Sequence, residues 1–156
     1  MMTRRMILQL VFPGLLLVVL GMLTGLPFHD AITSHSGPEA ERAWRVAHTS
    51  LVGGGALYLA IAAVAHHFVL PRRAAVFVVW SLVFAAYAFA FGFVVGPAVG
   101  ARGLEPVGPP LHVIVFATLA AGLLFAFVAS VVLLWGAYAA LRAAGAEEDG
   151  VHEGLP

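Results

Sequence analysis

The chain has no cysteine and no lysine among its 156 residues, and only 10% of them are charged. Without cysteine there is no disulfide, no thiolate metal ligand, no iron–sulfur cluster and no cysteine nucleophile. All of the basic charge falls on arginine, a choice that carries no functional weight. Acidic and basic residues balance at eight each, so neither nucleic acid nor an acidic partner is indicated. The scarcity of charge excludes a soluble domain, which at this length needs far more polar residues to cover its surface. What is present instead is 62% hydrophobic residues and a mean hydropathy of +0.98. The composition is that of an integral membrane protein.

Four apolar runs are long enough to span: Met6–Leu26, Thr49–Leu70, Ala74–Val95 and Leu111–Leu141. Each exceeds the roughly 20 residues that cross a hydrocarbon core. They predict an all-α fold, a four-transmembrane-helix bundle forming one domain over residues 1–142, with no internal repeat. The first run follows Arg4 and Arg5, as a signal peptide would. It is too long for one, however, and "GLPFHD" is a poor cleavage site, so it reads as a retained helix. Pro13 is tolerable there in lipid. The fourth run would be about 46 Å long as a helix, so it tilts or projects. Residues 143–156 form an acidic tail expected to be disordered. Arg4, Arg5, Arg72, Arg73 and Arg142 share one membrane side, against Arg42, Arg45 and Arg102 on the other. That bias places both termini in the cytoplasm.

This topology sorts the polar residues. His29, Asp30, His35, Glu39, Glu41, Arg42 and Arg45 precede His48 at one membrane face, where Arg102, Glu105 and His112 also collect. His66 and His67 lie at the other face, as anchors at headgroup level beside Arg72 and Arg73. About 27 Å of helix separates His48 from His66, so the two cannot share a site. His29, His35 and His152 read as solvent-exposed. His112, where the fourth helix begins, either caps the helix or serves as a ligand. Ser81 and Ser130 have no acidic or histidine partner inside the membrane, which leaves hydrolysis by a Ser–His–acid triad without support.

His48 differs in its neighbourhood, "AHTSLVGGGALYLAIAAV". Gly53, Gly54 and Gly55 follow it, and each glycine costs a helix about 1 kcal/mol relative to alanine. Three together need a reason. Close helix packing is one, since small residues let helices approach in lipid. A large flat ligand held by His48 along a backbone cleared of side chains is the other. Both stay open on the residues alone. A porphyrin suits such a cavity because its iron needs only one protein ligand.

The stretch "GPEAERAWRVAHTSLVGGG" resembles the first loop and second helix of the styrene oxide isomerases, small four-helix bacterial membrane proteins. The likeness rests on Pro38-Glu39, on Trp44-Arg45-Val46-Ala47-His48, and on Arg102-Gly103-Leu104 followed by Gly108-Pro109. It implies ferric haem b with His48 as the axial iron ligand, trimers with haem between protomers, and a bacterial plasma-membrane location. It further implies isomerisation of a small apolar epoxide to an aldehyde, with ferric haem as Lewis acid and a 1,2-hydride shift. Gly54 and Gly55 would border the haem, Arg102 would neutralise a propionate, and Tyr87 would stand for the family's functional tyrosine. Phe84, Tyr87, Phe89 and Phe91 are candidates to line the pocket. Six residues after the histidine, where the family carries asparagine, this chain has Gly54. Two further readings stand beside this one. The first is a b-type haem protein for electron transfer or gas sensing, with His112 as second ligand. The second is a cofactor-free assembly protein in which Gly53–Gly55 is a helix-crossing site.

Overall fold

The computed structural model of the chain describes residues 2–153, with side chains through residue 146. Four helices make up most of it: α1 (Arg4–Thr33), α2 (Pro38–Val64), α3 (Arg72–Ala98) and α4 (Pro110–Glu153). A short 3-10 turn, Ala65–His67, closes α2. No strand occurs among the described residues. All four helices are long and apolar enough to cross a membrane. The all-α four-span bundle expected from the sequence is therefore the architecture found, and the chain is a multi-pass membrane protein.

The helices do not stop where the apolar sequence stops. The span expected from Thr49 belongs to a helix that starts at Pro38, which puts Glu39, Glu41, Arg42 and Arg45 in its first turns rather than in a loop. Proline fits a first helical position because its missing N–H is not needed there. Glu39 and Glu41 complement the positive end of the helix dipole. Hydropathy marks where a helix enters lipid, and capping residues mark where it begins. At the other end α2 gives way at Val64, short of the expected Leu70, ahead of Pro71.

α1 likewise continues through Pro27 to Thr33 and takes His29 and Asp30 into its last turns. It closes with Ser36 N–H donating to the Ala31 carbonyl at 3.3 Å, while His35 holds a left-handed φ of 55°. The end of α3 repeats the device: Ala101 N–H donates to Gly96 O at 2.8 Å across Gly100, whose φ is 69°. α4 overruns Leu141 because alanine, leucine, arginine and glutamate are strong helix formers. The tail expected to be disordered from residue 143 has a helical backbone as far as Glu153. His152 lies outside the residues whose side chains are described.

α1 packs most extensively on α2, and α3 on α4, with α3 also touching α1 and α2. Glycine permits both close crossings. A Cβ at Gly55 would come within 2.6 Å of the Gly14 carbonyl oxygen, and one at Gly21 within 2.7 Å of Val52 N. Between α3 and α4, Gly92 receives Leu119 and Gly122 receives Ala88 and Phe89. Lipid offers no hydrophobic drive between helices, so such backbone approach supplies the packing contact instead. Ala47, Leu51, Gly55, Tyr58 and Ala62 are the buried stripe of α2. Tyr58 ties three helices together, because its Cβ sits against Gly14 and its hydroxyl donates to Leu82 O at 2.6 Å.

Candidate functional site around His48

Residues at i, i+4, i+7, i+11 and i+14 share a helical face. On α2 these are Glu41, Arg45, His48, Val52 and Gly55, and the face they form meets α1. Arg45 pairs with Glu41 one turn earlier. Its guanidinium carbon lies 5.9 Å over the Phe28 ring of α1. Phe28 in turn stacks on the His48 ring at 6.2 Å between centroids, with 26° between planes. From the other side, His48 Nδ1 lies 2.7 Å from the Gly21 carbonyl oxygen. The ring also lies close to Gly25, where a Cβ would sit in ordinary contact, 3.4 Å from Nδ1.

This contact settles the tautomer. A carbonyl oxygen only accepts, so Nδ1 carries the proton and donates it to Gly21. The lone pair is then on Nε2, which has no protein partner among the described residues. Histidines that bind metals have this arrangement, with one nitrogen anchored to a backbone carbonyl and the other presented to the ion. Among the described residues no three His, Cys, Asp or Glu side chains converge. The donor set therefore fits a group that takes a single protein ligand, as haem does, and the half-buried His48 ring is held in the required form.

The three glycines divide. Gly55 serves the crossing with α1, where it meets Gly14 and Val18, so the packing explanation holds at that position. The face that His48 shares with it is filled by α1. Gly53 has nothing within 4 Å, and Gly54 has only Leu17 Cδ1 at 4.0 Å. These two leave the backbone of α2 uncovered beyond His48.

Arg102 forms an ion pair with Glu39, joining the third loop to the first turn of α2. Both side chains are more than 70% exposed, so the pair contributes about 1 kcal/mol at most. Its interest is positional, because it connects two segments that are far apart in sequence. Arg102, Glu105 and His112 line a cavity of about 260 Å³ within the α3–α4 connection. There His112 Nε2–H donates to Val99 O at 3.1 Å, and its Nδ1 faces Gly108. His112 and His48 share no hydrogen bond or ring contact.

Tyr87 is 47% exposed on the outer side of α3, as are Phe77, Trp80, Phe84 and Phe91. Phe84 meets Phe125 of α4, and Phe89 turns instead toward Phe93. His66 and His67 are exposed at the far end of α2, their ring centroids 3.9 Å apart. His29 and His35 are exposed as expected. Phe28, Thr24 and Tyr58 stand in no motif of the sequence. Tyr58 lies one turn beyond Gly55, on the buried stripe. Thr24 is a polar residue within an apolar run, a signal in its own right.

The family model described as styrene oxide isomerase matches residues 6–138. Comparison with curated proteins and with solved structures gives no match. The family match reaches into all four helices and takes in the Glu39–Arg102 connection and the whole setting of His48. The chain belongs to the styrene oxide isomerase family.

Proposed function

We propose that the chain is a haem b-dependent membrane isomerase that converts small apolar epoxides into carbonyl compounds, with His48 as the axial iron ligand. Family membership suggests the isomerase class. The observation that supports the ligand is the 2.7 Å contact between His48 Nδ1 and Gly21 O, which leaves Nε2 free to bind a metal. Ferric haem, when bound, supplies Lewis acidity toward an epoxide oxygen.

The protein's part is to orient and to exclude water. Gly21 fixes the His48 tautomer, and Phe28, held under Arg45, restricts the tilt of the ring. Gly53 and Gly54 leave the backbone of α2 uncovered in the turns beyond it. Gly54 offers no side-chain donor where the family carries asparagine, so the shape of an apolar pocket has to orient the substrate. That favours epoxides without polar substituents. Arg102 is available to a propionate only in exchange for Glu39. The remaining parts of the reading come from the family and from charge: a homotrimer in a bacterial plasma membrane, with both termini cytoplasmic.

The test is an absorption spectrum followed by a panel of aryl and alkyl epoxides, assayed with ferric and with dithionite-reduced protein. A five-coordinate or weakly water-ligated ferric haem is expected, with turnover that stops on reduction and returns on reoxidation. Absence of a Soret band in protein made with ample haem would defeat the reading. So would a six-coordinate haem with no turnover, which would favour an electron carrier.

A further inference from the structure

Two side chains converge on one backbone oxygen. The Gly21 carbonyl accepts from His48 Nδ1 at 2.7 Å and from the Thr24 hydroxyl at 2.7 Å. In an α-helix the same oxygen also faces the N–H four residues on, here that of Gly25. Three donors therefore compete for two lone pairs.

A helical threonine in lipid commonly hides its hydroxyl on a carbonyl of the preceding turn. Elsewhere in this chain that carbonyl is the one four residues back. Thr118 bonds Ile114 O and Ser130 bonds Ala126 O. Thr33 and Thr49 make their shorter bonds to His29 O and Arg45 O. Thr24, only 5% exposed, bonds three residues back instead, to the carbonyl that His48 uses.

We propose that Thr24 is a positioning residue that tunes His48 through the shared Gly21 carbonyl. The proposal rests on the reading of His48 as the iron ligand. A second donor on one oxygen withdraws electron density from it and makes it a poorer acceptor for the first. The hydroxyl of Thr24 thereby weakens the Nδ1–H bond of His48, the imidazole gains less imidazolate character, and Nε2 becomes a weaker electron donor. An iron held by a weaker donor stays electron-poor, as a Lewis acid requires and an electron carrier does not.

The experiment compares the full-length wild type with Thr24→Val, which keeps the shape and loses the hydroxyl, and with Thr24→Ser, which keeps the hydroxyl. Thr24→Ala is a second hydroxyl-free variant should valine prevent folding. In haem-free protein labelled with ¹⁵N-histidine, the His48 signal is identified by its loss in His48→Ala. Its Nδ1–H proton should move downfield in Thr24→Val and stay in place in Thr24→Ser. In haem-loaded protein, the ferrous iron–histidine stretch should rise and the reduction potential should fall in Thr24→Val, with kcat reduced several-fold and KM little changed. Serine should restore all three. Identical His48 signals in wild type and Thr24→Val would overturn the sharing of the carbonyl. A shifted proton with unchanged stretch and potential would overturn the tuning. A wild type that takes up no haem would overturn the isomerase reading and the tuning with it, and the haem-free spectra tell that failure apart from an idle Thr24.

Discussion

Replacing Gly55 by alanine adds one methyl group at the tightest crossing of α1 and α2. The new Cβ would lie 2.6 Å from Gly14 O, 2.6 Å from Val18 Cγ2 and 2.8 Å from Val18 N. Ordinary contact begins near 3.4 Å, so the helices are about 0.8 Å too close at this point. Two of the three obstructing atoms are backbone and cannot rotate away, so α1 must move as a body. Overpacking of this kind costs about 1–3 kcal/mol. Alanine's better helix propensity returns about 1 kcal/mol of that. Gly53→Ala is the control, because it makes the same chemical change where nothing lies within 4 Å, and it keeps only the propensity gain. The two variants should therefore differ in stability by about 1–3 kcal/mol, with Gly53→Ala the more stable. Equilibrium unfolding of haem-free protein in detergent measures the difference. If Gly55→Ala proved as stable as Gly53→Ala, α1 and α2 would not cross where described, and the account of the glycines would be wrong.

His48→Ala should abolish haem uptake or weaken it greatly, while His66→Ala and His67→Ala keep a normal Soret band; an unaltered spectrum in His48→Ala would move the ligand elsewhere. Tyr58→Phe removes the hydrogen bond to Leu82 O and should cost about 1 kcal/mol in the same unfolding assay, whereas no change would mean that the hydroxyl does not bridge α2 and α3. Reporter fusions after Arg73 and after Arg142 should both read cytoplasmic from the arginine bias, and opposite readings would break the four-span topology.

The four spans could be read from the sequence because twenty apolar residues have few alternatives in lipid. The ends of the helices could not, because Pro38, Gly37 and the left-handed His35 act through backbone geometry rather than hydropathy. His48 stood out as a polar residue beside glycines, but its surroundings were hidden. Gly21 and Phe28 look like their neighbours in α1 until the crossing of α1 with α2 selects which of them face the imidazole. The glycine triplet was legible only as a question. Neighbours on α1 answer it at Gly55, and none answer it at Gly53. Tyr87 is one of several aromatic residues in its run, and only the packed helices show that it faces outward with Phe84 and Phe91 while Phe89 does not.

The contacts described at the His48 ring come from α1 and from α2 itself: Gly21, Phe28 and, over Phe28, Arg45. These residues sit close together in the chain, in helices that leave a ribosome ahead of α3 and α4. Short loop closures form early and at low entropic cost. During synthesis the imidazole can thus acquire its tautomer and its stacking partner as soon as the first hairpin is in the bilayer, ahead of α3 and α4. Assembly of this protein then has a built-in order, in which the imidazole is set first and the later helices pack afterwards.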